Sequence, residues 1–482
     1  MKKKTFKIAL VISVLAVSVW GLSCYLDFRQ SLWHKLKNPE TIRQLKEFVA
    51  QKKVQAYADT NGVPLEVQSI IEEADRGDWL AVSNSMDEIH RWEGWWRGWG
   101  NMWRSLGPKL AAKVWVRSHL ARNGGPGSLS PPDMWGVCGS AARDLANAFD
   151  VFGNIGEKFS ERFGREIIAS IPSGSIYLGG DDAGHYIPAV MLAPLDGTNS
   201  FYILPQWIFR TRDTGELGRL RAIYGRQIHM PTDNDLEECF RDYCERVISE
   251  TNIDEYPEGS SVNMASLAIQ RLMEANPTRG IYLDEEDFIC AFLPQMEPHG
   301  FVFKLHRQPM AAMPDRVLQD DREFWSKEIR PLIGDWLTEK TSLAEVVTFV
   351  EQISRKDPPV GFSGDAGFIR NIGAQTLFSN ARNSIAYLYA WRVEKAKDES
   401  ERKRMAEAAD LAYRQAWALC PGSEEVIFSY VAFLMGQKRS ADALLVAKAG
   451  AAFPQYKDDF YMTNLPAKLK EAGTNHFSLF AN

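Results

Sequence analysis

Residues 167–191 read IIASIPSGSIYLGGDDAGHYIPAVM, and the fold class turns on how this stretch is parsed. The apolar run at its start stops at Pro172 and Gly174. Ser175-Ile176-Tyr177-Leu178 then has the β-branched and aromatic character of a short strand. Gly179 and Gly180 end it, Asp181 and Asp182 follow, and a second apolar run starts at Gly184 and His185. Aspartates ahead of an apolar run are helix-capping residues. A strand that feeds directly into a helix opens a βα unit.

Working outward, the alternation continues. Short apolar runs fall at 201–204, 227–230, 280–283 and 300–305. Helical periodicity covers 216–224, 233–249, 262–274 and 285–296. The pattern predicts a central α/β domain over 166–310 with a mainly parallel sheet. Such sheets bind ligands at the carboxyl ends of their strands, which is where Gly179 to His185 fall. The glycines there allow close backbone approach. Asp181, Asp182 and His185 are the candidate catalytic groups, as base, hydroxyl acceptor or proton carrier. This is not a dinucleotide fingerprint, because the spacing is GGxxxG and an acidic pair repels phosphate. A turn capped by aspartates accounts for the same residues. A metal held by Asp181, Asp182 and one of His229, His299 or His306 has no ligand spacing behind it, so neither metal nor cofactor is expected.

The N-terminus sets the address. Lys2, Lys3, Lys4 and Lys7 precede nineteen uncharged residues, Ile8 to Leu26. That length nearly spans a hydrocarbon layer of about 30 Å. The lysines orient it with the N-terminus inside and the body outside. The expectation is a single-pass membrane anchor over 1–26, with an extracytoplasmic body. A cleaved signal peptide and a lipidated Cys24 are the competing parses, and both also place the body outside.

Residues 27–165 read as helical. Asn38 and Pro39 open a helix, and a helix–turn–helix pattern spans 65–76 and 79–92. Trp92, Trp95, Trp96, Trp99 and Trp103 share a helical face, suited to packing or to stacking on a sugar. Cys138 stands where a helix opens, and with His185 it allows a thiol-enzyme reading. A buried small cysteine is the preferred reading. After a helical connector over 311–379, residues 380–470 carry tetratricopeptide spacings: Ala409, Tyr413, Ala416 and Pro421, then Tyr430, Val431, Leu434, Ala443, Ala447 and Pro454. The net charge of -6 and pI of about 5.9 give no basic footprint for nucleic acid. The six cysteines show no CxxC pair and no zinc spacing.

The stretch SIPSGSIYLGGDDAGHYIPAVM resembles a motif written roughly IPPGSIYFGGTDPGRF. EADRGDWLAVSNSMDEI and LRAIYGRQIHMPTDNDLEECFRDYCE resemble the same set of proteins in the same order. IYLDEEDFICAFLPQMEPHGFVFKLHRQPM resembles a region of that set ending YPYLEPHGLIFKLNREP. The family is one of bacterial membrane-anchored extracytoplasmic proteins of unknown function with C-terminal tetratricopeptide repeats. It is related to the soluble portion of multispanning proteins similar to protein O-mannosyltransferases. Gly179, Gly180, Asp182 and Gly184 match the motif, whereas Asp181 replaces Thr, Ala183 replaces Pro and His185 replaces Arg. A later TQNALAD stretch survives only as Gln206. The resemblance marks Gly179, Gly180, Asp182, Gly184 and Gln206 as candidate ligand-binding residues. It does not imply mannosyl transfer, since the chain lacks the many spans that a lipid-linked donor requires.

The expected architecture is α/β plus all-α: a central mainly parallel sheet domain between an N-terminal helical region and a tetratricopeptide-type array. The expected function is binding or scaffolding, with a protein partner on the repeats and the membrane at the N-terminal helix. A glycosylation-related enzyme or glycan-binding subunit with its site at Gly179–His185 is the alternative, and a Cys–His hydrolase or transferase the third.

Overall fold

The structure, a computed structural model, describes residues 32–57, 65–78, 81–82, 136–180, 183–192, 201–206, 208–211, 214–250, 264–284, 292–354, 361–457 and 459–472. The chain divides into two compact units. The first ends at Glu161 and takes in Ala189–Gly197, and the second comprises Arg162–Pro188 and Thr198–Asn482. The expected anchor at 1–26, the tryptophan face at 92–103, Asp181 and Asp182 lie outside the described residues. The helix expected over 79–92 lies outside them apart from residues 81 and 82.

The first unit is helical. Helix α1, Pro39–Tyr57, begins as its sequence dictates: Asn38 Oδ1 accepts the Glu40 N–H at 3.0 Å, and Pro39 takes the first position. Leu45, Phe48, Val49 and Ala56 form its buried stripe. Helix α2, Leu65–Arg76, and helix α3, Gly136–Asn154, pack on α1 and on each other. A buried ion pair, Lys52 to Asp144, ties α1 to α3. Gly77 ends α2 at φ +72°, with Trp33 lying against its Cα. A side chain at that position would meet both the strain and the indole. Helix α4, Glu157–Ser170, leads into the second unit.

The sheet of the second unit runs β2-β1-β3-β5-β4. Strand β1, Ile176–Gly179, is followed by helix α5, Ala183–Leu192, and β2, Tyr202–Pro205. Helices α6 (Thr214–Tyr224), α7 (Asp233–Glu250) and α8 (Met264–Ala275) then lead to β3, Ile281–Leu283. Strands β4, Met296–His299, and β5, Val302–Leu305, complete it. Strand β1 pairs in parallel with β2 and β3, whereas β5 pairs antiparallel with β3 and β4. The sheet is therefore mixed rather than mainly parallel. The cause is the two-residue turn Gly300-Phe301, with Gly300 at φ +71°. A link that short can only make a hairpin.

Two local expectations are corrected. Residues 227–230 form no strand. The Gln227 and Ile228 N–H groups bond back to Tyr224 O at 2.8 and 2.9 Å, and the His229 N–H goes to Asn276 Oδ1 at 2.9 Å. With two donors turned back on α6 and the third taken by the Asn276 side chain, the segment closes α6 as a turn. The helix expected over 285–296 ends early: residues 285–291 lie outside the described residues, Phe292 is helical, and a 3₁₀ turn, Leu293–Gln295, then leads into β4. Pro298 hides that strand from a reader of the sequence. It is tolerated because β4 is an edge, where a missing N–H breaks no ladder.

Helix α9, Asp315–Ile333, and helix α10, Leu343–Ser354, precede two helical hairpins. The first joins α11, Ile372–Lys395, to α12, Glu399–Leu419. The second joins α13, Glu424–Gly436, to α14, Ser440–Ala451, and helix α15, Phe460–Ala472, packs on α14. Side-chain caps start three of these helices: Asn371 to the Ala374 N–H, Asp398 to the Glu401 N–H and Ser423 to the Val426 N–H. Helices α9 and α10 pack on α12, and α10 also packs on α14.

Helix α11 is buried almost all round. Phe378 joins a ring cluster with Phe163, Phe301 and Phe368. The Arg382 guanidinium donates to both Asp321 oxygens at 2.9 Å and to Gln415 Oε1 at 2.8 Å, 5.0 Å from the Trp325 ring centroid. The side chains of that ion pair are 1% and 3% exposed.

Candidate functional site

The carboxyl end of β1 is a close-packed joint. Leu178 O accepts the Asp284 N–H at 3.0 Å from beyond β3 and Gln206 Nε2 at 3.0 Å from beyond β2. Gly179 O accepts the Gln206 N–H at 2.8 Å. The residue after each neighbouring strand thus continues the ladder by one bond. The first turn of α5 rests on this end. The Tyr177 hydroxyl donates to Gly184 O at 2.8 Å.

Both glycines of the joint are there for space. A Cβ on Gly179 would lie 2.6 Å from His185 Nδ1 and 2.9 Å from His185 Cα. A Cβ on Gly184 would lie 1.5 Å from Asp284 Oδ2. No side chain fits at either position without moving its neighbour. His185 is 7% exposed, with its ring 4.9 Å from that of Tyr186 in an edge-to-face contact. Gln206 is 2% exposed and its amide is spent on Leu178 O.

Of the residues singled out in the sequence, the structure brings Gly179, Gly184, His185 and Gln206 together, with Gly180 buried beside Gly179. Asp284, which sequence reasoning missed, completes the group at 3% exposure. Its sequence signal was partial: it follows the apolar run Ile281–Leu283 as Gly179 follows Ile176–Leu178, and only the register of those runs places it at the joint. The glycines and Gln206 act as joinery, and the ionisable groups described here are His185 and Asp284.

Among the described residues, no group of three or more His, Cys, Asp or Glu is placed to hold a metal. Cys239 and Cys420 are free and buried. Burial pushes the Cys420 thiol up to about 11, which withholds the thiolate that a nucleophile needs. Cys138 lies in the first turn of α3, and its side chain is outside the described set. No helix among the described residues is long and apolar enough to cross a membrane. No family model, no curated protein and no solved structure matches the chain.

Proposed function

We propose that this chain is a membrane-anchored extracytoplasmic binding or scaffold protein that docks a protein partner on C-terminal tetratricopeptide-type repeats. One observation carries the reading. Two helical hairpins follow one another and end on α15, whose first turn leaves Phe460 and Tyr461 67% and 65% exposed. Small residues let the hairpin helices close up: Ala443 and Ala447 are fully buried, and a Cβ on Gly450 would lie 2.7 Å from Ile427 Cδ1. The inward helix of the first hairpin, α11, is consumed internally, so the docking surface falls on α13 to α15. The spent glycines and glutamine at the strand end favour this reading over catalysis there.

The test is a photo-crosslinking residue at Tyr461 of the full chain in intact cells. One adduct of fixed mass is expected, lost on adding Phe460→Ala and absent from a control position at exposed Val54. No adduct, or the same products from both positions, refutes repeat docking.

A second reading rests on Asp284. It adds a buried carboxylate to the carboxyl ends of parallel strands, where α/β proteins bind ligands. A glycan-related ligand would sit there. Glycan binding lost in Asp284→Asn with an unchanged melting midpoint favours this reading over docking.

A further inference from the structure

The two faces of the sheet differ in chemistry beyond β1. Residues paired across neighbouring strands share a face. Ile281, Leu305 and Met296 align, as do Leu283, Phe303 and Pro298, so one face is apolar there. On the opposite face, Tyr282 of β3 stands beside Lys304 of β5, and Lys304 beside Glu297 of β4. His299 and His306 lie two residues along their strands from Glu297 and Lys304, and therefore continue that face. His306 still belongs to the ladder, its N–H donating to Gln295 O at 2.9 Å. Five proton-carrying side chains thus meet on the edge half of the sheet.

Their bonding is unevenly shared. Glu297 Oε2 lies 2.7 Å from His306 Nε2, with side chains 18% and 31% exposed. His299 Nε2 lies 2.8 Å from Ser170 O. A ring nitrogen facing a carbonyl must carry the hydrogen, which leaves Nδ1 of the neutral ring as an acceptor. Tyr282 is 4% exposed with its ring 5.2 Å from that of His299. Burial, with help from Glu297, raises its hydroxyl above the ordinary value and keeps it a donor.

Lys304 is half-buried, and its ammonium has no hydrogen-bond or ion-pair partner among the described residues. Its cross-strand neighbour Glu297 is engaged by His306 instead. An ammonium with three unused donors on this face is free to bind an anion.

We propose that this face binds a small ligand bearing an oxyanion, either a carboxylate or a phosphate. Lys304 supplies the counter-charge and the Tyr282 hydroxyl a second donor. The Glu297–His306 pair stands beside them to accept from ligand hydroxyls. The site uses no residue of α13 to α15, so it stands or falls apart from repeat docking.

Calorimetric titration of the detergent-solubilised full chain tests it, with inorganic phosphate in one arm and glucuronate in the other. Saturable binding is expected in at least one arm, and the arm that binds identifies the anion. Lys304→Met is expected to weaken it tenfold or more, and Lys304→Arg to retain most of it. Failure of both anions to saturate, or full binding by Lys304→Met, overturns the proposal. If Lys304→Met does not fold, Tyr282→Phe serves: several-fold weaker binding supports the site and unchanged binding refutes it.

Discussion

Gly184→Ala adds one methyl group at the tightest point of the strand-end joint. The new Cβ would fall 1.5 Å from Asp284 Oδ2 and 2.4 Å from its Cγ. Neither side yields easily. Asp284 is 3% exposed and its N–H is bonded to Leu178 O, while Gly184 O is held by the Tyr177 hydroxyl. Inside a helix, Gly→Ala by itself stabilises by about 1 kcal/mol. Against that stand an overpacking cost of about 1–3 kcal/mol and a displaced buried carboxylate worth about 1–3 kcal/mol. The net expectation is a loss of roughly 3 kcal/mol. Urea unfolding followed by circular dichroism measures it, read as a lower midpoint at unchanged slope. A double-mutant cycle with Asp284→Ala isolates the cause, because removing the carboxylate removes the clash. The cycle should return a coupling of about 1 kcal/mol or more, with Asp284→Ala costing less when Gly184→Ala is already present. A variant as stable as the parent, or a coupling of zero, refutes the close-approach account of Gly184.

Other consequences can be checked in the same way. Arg382→Met leaves the Asp321 carboxylate buried without its cation and should cost about 3–5 kcal/mol, with Asp321→Leu added in the same chain recovering most of it. The Cys420 thiol, pushed up to about 11 by burial, should resist a thiol-specific disulfide reagent at pH 8 in the native chain and react once urea unfolds it. The neutral thiol is the form the fold favours, so its contribution to stability is intact below the unfolded value of about 8.5 and declines as pH rises from there toward about 11. Deletion of residues 1–26 should move the protein out of the membrane fraction. Retention in that fraction after carbonate washing would contradict an N-terminal anchor.

Legibility followed the locality of the signal. The β1–α5 unit could be read because a β-type run, two glycines and an apolar helical run each carry their own short-range cue. The helix start at Asn38 was readable for the same reason, since a cap lies beside the helix it opens. Strand β4 was not. Met296-Glu297-Pro298-His299 has no β propensity of its own and is a strand because β5 pairs with it. The turn at 227–230 failed in the opposite sense: its composition suits a strand, but Tyr224 O takes two of its N–H groups and Asn276, 47 residues from His229, bonds both the N–H and the carbonyl of His229. The joint at Gly184 was half visible. A glycine announces that a close approach exists, whereas what approaches it, Asp284, depends on the register of β1 with β3. Lys304 reads as an ordinary lysine until pairing places it between Tyr282 and Glu297.

The burial of α11 over most of its surface governs how this part of the protein can come apart. Through Arg382 it is bonded to α9, through Ser379 to Ala416 O of α12, and through Arg392 to Pro294 O just ahead of β4. A helix that is core to the sheet side and to the hairpin side at once cannot melt for one and persist for the other. The hairpins and the sheet should therefore share one melting transition, and strain arriving at Phe460 and Tyr461 would be felt as a change in the cohesion of the whole second unit. A chain cut just before α11 would leave two fragments that each lack a wall of their own core.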